Sequence, residues 1–346
     1  MNLADVFREQ AANCASLGSP FMGQLLTVLA EHWPGNSDLA RVLDTYTGDI
    51  GPRGHSLPLR VGGGLHALVL SGRDAGLAAV FPPHTVSDDA LCTAVLDAIE
   101  ANSAFLCDWV QSPPQTNEVR RSAALIPSAY LAASHFDLPI MLSELGASGG
   151  LNLMWDRYAV EAGDVSLGTD SPVLTLTPDW SGPVPTGPRP NVVERAGVDL
   201  NPLDPRKSDD LLRMTAYLWA DQPDRMQMTR TAAAVMDAPI ARADAIDWLE
   251  TRLAAQPEGQ LHMIQHTIAW QYFPAQAQTR GRTLIEAAGT RATETRPLAW
   301  LSMEDDGYAP GKVGAALTLR LWPGDLHLNL GRVDFHGRWI KWNGVE

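Results

Sequence analysis

The clearest pattern in the chain is a change of periodicity near residue 138. Residues 138–145 form an almost continuous apolar run, which predicts a buried parallel strand. Residues 146–150, Gly-Ala-Ser-Gly-Gly, are too small and flexible for anything but a tight turn. Apolar positions then recur at helical spacing over residues 151–158. The stretch therefore predicts a strand, a glycine turn and a helix.

Before this stretch the chain shows helical periodicity and few strand-like signals. Amphipathic faces and helix-capping residues recur up to about residue 134. Residues 57–70 are apolar enough for a helix but contain the run Gly62-Gly63-Gly64, so close helix packing and a local break are both open. We predict an α-helical N-terminal domain or lid over residues 1–134.

The remainder of the chain, residues 135–346, predicts an α/β domain. Its segment 159–195 is dense in proline and glycine, which excludes a long helix and predicts an inserted β-hairpin or loop. We expect a mainly parallel sheet that ends in an antiparallel hairpin. Further strands are predicted within residues 261–274, 297–303, 315–322, 326–330 and 338–342, and further helices within 211–219, 226–236 and 275–288.

Composition narrows the classes of partner and compartment. The 346 residues, 45% of them hydrophobic, provide a sizeable core for one large or two medium domains. A formal net charge of -14 disfavours nucleic acid and anionic membrane surfaces as partners. The 3 cysteines form no CxxC pair, and no leader or membrane-spanning stretch is evident. We therefore expect a cytoplasmic protein that binds a small molecule.

The glycine turn has ligand-binding chemistry. Small residues let backbone amides approach a ligand, and the N-terminus of the predicted helix adds unpaired N–H groups. Glu144, at the carboxyl end of the strand, suits hydroxyl or ammonium groups better than phosphate. The dinucleotide fingerprint G-x-G-x-x-G is not met, because Ser148 and Leu151 occupy its second and third glycine positions.

Glu144 followed by this turn resembles the first motif of class I S-adenosylmethionine-dependent methyltransferases, with Ser148 replacing the middle glycine. The alternative is a glycine turn that only closes a strand–helix corner. The resemblance implies a Rossmann-like methyltransferase core with S-adenosylmethionine as cofactor. The residues that would then hold its methionine end are Glu144, Gly146, Ala147, Ser148 and Gly149.

Two later segments resemble further motifs of the same superfamily. Residues 197–202, Gly-Val-Asp-Leu-Asn-Pro, resemble the end of the second strand, where Asp199 would accept the ribose hydroxyls. They lie much further from the turn than the ~20 residues usual in a compact unit, so the inserted segment must intervene. Asp244 and Ala245 resemble the motif that meets the adenine, and the alternative for Asp244 is a helix N-cap.

A polar group precedes the helix predicted at residues 123–133. It combines an amide, a carboxylate and a guanidinium group in Asn117, Glu118 and Arg121. One interpretation is an N-cap at Thr116 followed by solvated charges. The other is that these residues lie over the carboxyl ends of the first and fourth strands, on the acceptor side of the site.

The predicted fourth strand carries the other acceptor-side candidates. His262 and His266 have the i,i+4 spacing of a metal pair on a helix, but on a strand they lie ~13 Å apart, so no metal is predicted. The predicted roles on the acceptor side are catalytic for Glu118, Arg121, His266 and Tyr272, and substrate-binding for Asn117 and Trp270.

Four segments together resemble an uncharacterised bacterial family of unknown function that covers nearly the whole chain. They are residues 17–20, 116–122, 144–153 and 197–202. Because the family label implies no activity, function must be argued from the site. The expected function is S-adenosylmethionine-dependent methylation of a small molecule. The alternatives are a non-catalytic ligand-binding protein on the same scaffold and another nucleotide-dependent enzyme.

Overall fold

The computed structural model describes residues 2–52, 54–307 and 313–344. The chain divides into two compact units, Met1–Thr116 with Pro205–Arg230 and Asn117–Asp204 with Thr231–Glu346. This division differs from the sequence-based boundary at residues 134 and 135. The helix at Ser122–His135 belongs to the second unit, because it packs there against strands of that unit.

Both units contain helices, and the strands belong to the second. The α-helices of the described residues are α1 Leu3–Ser16, α2 Pro20–His32, α3 Asp38–Leu43, α4 Leu57–Leu70, α5 Ala75–Ala78, α6 Asp88–Ala101, α7 Ser103–Trp109, α8 Ser122–His135, α9 Ser208–Ala216, α10 Pro223–Ala234, α11 Ala245–Ala254 and α12 Ala275–Gly289. Short 3-10 helices lie at Val119–Arg121, Leu151–Arg157 and Trp270–Tyr272. The strands are β1 Ile140–Leu145, β2 Tyr158–Ala162, β3 Val165–Gly168, β4 Leu174–Leu176, β5 Asp179–Ser181, β6 Val192–Asp199, β7 Ile240–Arg242, β8 Leu261–Thr267, β9 Leu298–Glu304, β10 Ala315–Trp322, β11 Leu326–Val333 and β12 Trp339–Trp342.

The first unit has a helical core around α4, which is buried along most of its length. Its glycine run is explained by close helix packing, not by a break. A Cβ added at Gly63 would lie 2.5 Å from Cε1 of Tyr217, and one added at Gly64 would lie 2.9 Å from Cδ2 of Leu106. Neighbouring side chains therefore occupy the space that larger residues would need.

The segment Pro205–Arg230 returns to the first unit through polar as well as apolar contacts. The carboxylate of Asp221 accepts hydrogen bonds from the hydroxyl of Ser19 (2.5 Å) and the N–H of Phe21 (3.0 Å), at the start of α2. Nδ1 of the buried His66 lies 3.1 Å from the carbonyl oxygen of Ala216. Burial lowers the pKa of His66 to about 4, so the imidazole is neutral at physiological pH.

The second unit is mixed α/β with a mostly parallel central sheet. The nine strands run in the order β5-β12-β11-β10-β9-β8-β1-β6-β7. The five strands β7, β6, β1, β8 and β9 pair in parallel, whereas β10, β11 and β12 continue the sheet antiparallel. The antiparallel hairpin predicted near the end of the chain is thereby confirmed. Numbered along the chain, the parallel strands lie in the order third, second, first, fourth and fifth, so the strand order reverses between β1 and β8.

The proline- and glycine-rich segment forms strands of its own. An antiparallel hairpin, β2 and β3, is joined by β4, which pairs in parallel with β2 and completes a separate three-stranded sheet. The short strand β5 instead extends the central sheet beside β12. The predicted hairpin is present, and the insertion contributes to two sheets.

The α-helix predicted after the glycine turn is wrong, because residues Leu151–Arg157 form a 3-10 helix. Side-chain donors form hydrogen bonds with carbonyl oxygens that would accept backbone N–H groups in an α-helix. The hydroxyl of Tyr158 donates to the carbonyl of Leu151 (2.8 Å), and Nε2 of Gln265 donates to that of Asn152 (3.2 Å). Two side-chain hydrogen bonds, one local and one from β8, thus outweigh the helical periodicity of the sequence.

We predict that Gly63→Ala lowers the free energy of unfolding by about 1–3 kcal/mol, because the added methyl group overlaps the ring of Tyr217. The overlap outweighs the roughly 1 kcal/mol by which alanine exceeds glycine in a helix. Urea unfolding followed by circular dichroism measures the change. Gly35→Ala is the control, since a Cβ there meets no atom within 4 Å. Equal stability of the two variants would contradict the packing account.

Candidate functional site

The reversal of strand order between β1 and β8 defines the candidate site. In open parallel sheets, ligands bind outside the carboxyl ends of the strands at such a point. β1 ends at Leu145 and is followed by the glycine turn, while β8 ends at Thr267. The next strand on the other side of β1 is β6, which ends at Asp199.

The backbone of the turn is left-handed at three positions: Gly146 has φ +70°, Ser148 +53° and Gly150 +74°. Glycine is required at the first of them for a second reason. A Cβ on Gly146 would lie 2.5 Å from the Cβ of Ala269, which follows β8. The turn is therefore pressed directly against the segment after β8.

Asp199, the predicted ribose ligand, is bonded to this turn. Its Oδ2 accepts the N–H of Ser148 (2.9 Å), and its Oδ1 accepts the N–H of Asn201 (2.8 Å). The N–H of Ala147 donates to the carbonyl oxygen of Val198 at 3.0 Å. The protein thus uses several of the turn amides that were expected to face a ligand, and Asp199 fixes the shape of the turn.

Glu144 is buried at the end of β1, with 2% of its surface exposed. Burial raises the pKa of Glu144 to about 8, although a hydrogen bond with Gln265 and the charge of Arg121 act in the opposite direction. Among the described residues, neither Oε2 of Glu144 nor Oγ of the buried Ser148 has a hydrogen-bond partner. Two polar atoms at the predicted ligand turn are therefore buried and unsatisfied.

The predicted acceptor-side group lies beside this turn. Oδ1 of Asn117 accepts the N–H of Leu151 (2.9 Å), and Nη1 of Arg121 donates to the carbonyl oxygen of Thr267 (3.2 Å) at the end of β8. Asn117 is buried and Arg121 is half-buried. These two side chains connect the segment before α8 with the ends of β1 and β8.

Asn152 and Gln265 complete this network, and sequence analysis assigned no role to either. Nδ2 of Asn152 donates to the carbonyl oxygen of Glu118 at 3.2 Å. The indole N–H of Trp155 donates to Oε1 of Gln265 at 3.1 Å. Asn152 stands within the segment 144–153 that carries the family resemblance, which was the available sequence signal.

The N-cap suggested at Thr116 is wrong. The carboxylate of Glu118 accepts the N–H of Arg120 (3.2 Å) and caps the 3-10 helix Val119–Arg121, which leads into α8. Glu118 is itself 3% exposed, so the charges after Thr116 are not merely a solvated turn. The buried carboxylate is already engaged with the backbone.

His266 lies on the opposite face of the sheet from Glu144. Glu144 is in register with Gln265, and successive strand residues point to opposite faces. The indole N–H of Trp300 donates to Nε2 of His266 (2.9 Å), while Nδ1 of His266 lies 2.7 Å from Oε1 of Glu304. Because an indole only donates, the imidazole proton of neutral His266 belongs on Nδ1. Both ring nitrogens are thus engaged within the protein.

Glu304 at the end of β9 fixes the turn after β8, and sequence analysis did not assign it a role. Its carboxylate accepts the N–H groups of Ala269 (3.0 Å) and Trp270 (3.1 Å) as well as bonding to His266. Burial alone would raise the pKa of Glu304, but the hydrogen bonds from His266 and from these backbone N–H groups hold it below its usual value. The available signal was an acidic residue at the carboxyl end of a predicted strand.

The remaining predicted residues are distributed around these features. Trp270 is buried and its ring stacks on His266 with centroids 5.0 Å apart, whereas Tyr272 is 64% exposed. The carboxylate of Asp244 accepts the N–H groups of two following residues and forms the N-cap of α11. Ala245 is part of the apolar core below that helix.

His262 does not pair with His266. Nε2 of His262 instead lies 2.9 Å from the hydroxyl of Ser143 in the sheet interior, and burial with the nearby charge of Arg252 lowers its pKa to about 3. Within the described ranges, no group of three or more His, Cys, Asp or Glu side chains has an arrangement that could hold a metal ion.

A cavity of about 560 Å³ opens on the face of the sheet that carries His266. Its wall includes side chains of α12 and of strands β9, β10 and β11. Residues that line it include Trp270, Gln278, Arg282, Trp300, Thr318 and Asn329.

Residues 4–342 match the model of the family described as "Uncharacterized protein conserved in bacteria (DUF2332)". The chain belongs to this family. The match covers nearly all of its length, as the four resembling segments predict. No curated protein and no solved structure matches the chain.

Across the described residues, no single helix has both the length and the apolar character to cross a membrane, although the bent pair α6 and α7 has both when the two are taken together.

We predict that the contribution of Glu144 to the stability of the protein falls as the pH rises from about 5 to 8. The pKa of Glu144 is about 8 in the folded state against an ordinary 4.5, so the folded state binds more protons in this window. The slope from this group reaches about 1.4 kcal/mol per pH unit. Glu144→Gln should remove this pH dependence. At pH 8.5 its free energy of unfolding should exceed that of the wild type by about 1–3 kcal/mol.

Urea unfolding at a series of pH values measures this difference. The control is Glu258→Gln, which replaces an exposed carboxyl and should leave the pH profile of the wild type unchanged. Parallel profiles for wild type and Glu144→Gln would contradict the raised pKa.

Proposed function

We propose that the protein is an S-adenosylmethionine-dependent methyltransferase that acts on a small molecule. The observation that carries the proposal is a pair of buried atoms, Oε2 of Glu144 and Oγ of Ser148, which lie at the reversal of strand order and have no hydrogen-bond partner among the described residues. An unsatisfied buried polar group costs about 1–3 kcal/mol, and a ligand that bonds to it recovers that cost. Buried atoms without hydrogen-bond partners thus lie at the place where sheets of this strand order bind their ligands.

The strand order supports the proposal independently. The order third, second, first, fourth and fifth of the parallel strands is that of a doubly wound nucleotide-binding sheet. The three methyltransferase-like motifs follow adjacent strands, with Glu144 on β1, Asp199 on β6 and Asp244 after β7. An elongated ligand that crosses these strand ends would present its amino acid, ribose and adenine parts to them in turn.

The residues present fit such a cofactor at the amino acid end. A carboxylate at Glu144 suits an ammonium group, and the hydroxyl of Ser148 suits a carboxylate or hydroxyl. Asp199 holds the turn through the N–H of Ser148, so its contribution would combine positioning of the turn with contact to the ribose. The absence of the G-x-G-x-x-G pattern disfavours a dinucleotide.

The cofactor, when bound, would supply an electrophilic methyl group. The protein's own part is to orient the acceptor in line with it and to exclude water, since positioning accounts for much of the acceleration of such a transfer. A base is needed only where the acceptor must lose a proton. Asn117, Glu118 and Arg121 border the turn and are the proposed residues of the acceptor side.

A non-catalytic ligand-binding protein is the second candidate. It is favoured by the surroundings of His266 and Tyr272, the catalytic candidates on β8 and directly after it. Both nitrogens of His266 are bonded within the protein, and Tyr272 projects from the surface. In this case the turn would bind its ligand without turnover.

We expect S-adenosylhomocysteine to bind the wild-type protein, and Ser148→Ala to weaken binding about 2- to 10-fold, as expected for one lost hydrogen bond. Isothermal titration calorimetry measures both affinities. Ser166→Ala, which replaces an exposed hydroxyl on β3, is the matched control and should bind like the wild type. A ligand at 100 times its Kd should also stabilise the fold by about 2.7 kcal/mol.

Binding of NAD or NADP in place of S-adenosylhomocysteine would contradict the proposal. If S-adenosylhomocysteine bound wild type and Ser148→Ala with equal affinity, the hydroxyl of Ser148 would not contact the ligand.

A further inference from the structure

We propose that the cavity between α12 and strands β9–β11, here called the α12 cavity, binds a small planar organic anion such as an aromatic carboxylate. Its volume of about 560 Å³ falls in the range of roughly 300–1,000 Å³ that holds small molecules. The cavity lies on the face of the sheet opposite Glu144, so it is a site separate from the glycine turn. The proposal therefore does not depend on the cofactor.

The first support is a rigid aromatic floor. The ring of Trp300 is held by its N–H bond to His266, which in turn bonds to Glu304. Glu304 is anchored by the backbone N–H groups of Ala269 and Trp270, and the rings of Trp270 and Trp300 lie 5.6 Å apart. A surface fixed in this way loses little freedom when a planar ligand packs on it.

The second support is the charge of Arg282. Its guanidinium carbon lies 5.6 Å from the centre of the Trp300 ring, and the residue is exposed. Among the described residues, Arg282 forms no ion pair, whereas Arg320 on the same cavity wall is paired with Glu286 and Asp325. A guanidinium that rests on a ring keeps its N–H edge available for a two-point bond to a carboxylate.

Two acidic residues of the cavity wall, Glu304 and Asp306, are held by partners within the protein, and among the described residues no acidic residue of the wall forms an ion pair with Arg282. The carboxylate of Glu304 is held by His266 and backbone N–H groups, and that of Asp306 is paired with Arg332 (2.8 Å). Oδ1 of Asp305 accepts the N–H of Gly307 at 3.0 Å. Among the wall residues that the structure describes, Arg282 is thus the arginine that no carboxylate pairs with.

The polar rim indicates how the ligand would be oriented. Gln278, Thr318 and Asn329 line the cavity with amide and hydroxyl groups. These groups suit the polar edge of a ring whose face packs on Trp300 and whose carboxylate meets Arg282. The ligand is thus expected to combine a flat apolar face with one anionic group.

Isothermal titration calorimetry on the whole protein tests the site with indole-3-carboxylate and benzoate as probes. We expect both acids to bind, and Arg282→Gln to weaken their binding about 10- to 100-fold, as expected for loss of a charge-assisted pair of hydrogen bonds. Arg291→Gln, at an exposed arginine just beyond α12, is the matched control and should leave both affinities unchanged. Neutral benzamide should bind at least 10-fold more weakly than benzoate.

Thr318→Trp provides a second test. Thr318 is an exposed residue of the cavity wall on β10, so an indole there should block the cavity while the circular dichroism spectrum remains that of the wild type. Failure of both acids to bind the folded wild type would overturn the proposal. It would also be overturned if Arg282→Gln and Thr318→Trp had no effect, or if inorganic phosphate bound as well as benzoate.

Discussion

The candidate site depends on a close approach between the carboxyl ends of β1, β6 and β8. A Cβ at Gly146 would lie 2.5 Å from the Cβ of Ala269, and one at Gly197 would lie 2.6 Å from the Cβ of Ala147. Glycine at both positions lets the three strand ends meet without side chains between them. The bond from the N–H of Ser148 to Asp199 then fixes the turn in the conformation that this packing requires.

Ala269 connects the two polar networks of the second unit. On one side it touches the glycine turn that follows Glu144, and on the other its N–H donates to Glu304. One network contains the buried carboxyl group of Glu144, whose Oε2 has no hydrogen-bond partner among the described residues. The other network holds the aromatic floor of the α12 cavity. A single tight segment after β8 thus shapes both candidate sites, although they open on opposite faces of the sheet.

The sequence predicted the features that depend on local pattern. The structure contains the buried strand before the glycine turn, the helix near residues 275–288 and the terminal antiparallel strands. These elements were predictable because the spacing of apolar residues along the chain determines which face of a strand or helix is buried. The glycine run in α4 was recognised, but only tertiary packing decides between a break and a close neighbour. Periodicity alone favoured an α-helix after Gly150, where side chains instead occupy the carbonyl oxygens.

The features that sequence analysis missed arise from contacts between distant segments. Glu304 gains its role from backbone N–H groups more than 30 residues away, and Asp199 from a turn 51 residues earlier. The return of Pro205–Arg230 to the first unit has the same origin, since Asp221 meets Ser19 across 202 residues. No local pattern encodes these partners.

The central claim, that an ammonium-bearing ligand completes the buried site at Glu144, is tested most directly by the protons exchanged on binding. At pH 7 the free carboxyl, with a pKa of about 8, is mostly protonated, and an adjacent ammonium group favours its ionised form. Calorimetry in buffers of different ionisation enthalpy should show that S-adenosylhomocysteine releases up to about one proton from the wild type. Glu144→Gln should release none, and neither should the wild type with 5′-methylthioadenosine, which lacks the amino acid part. Equal proton release by wild type and Glu144→Gln would contradict the account.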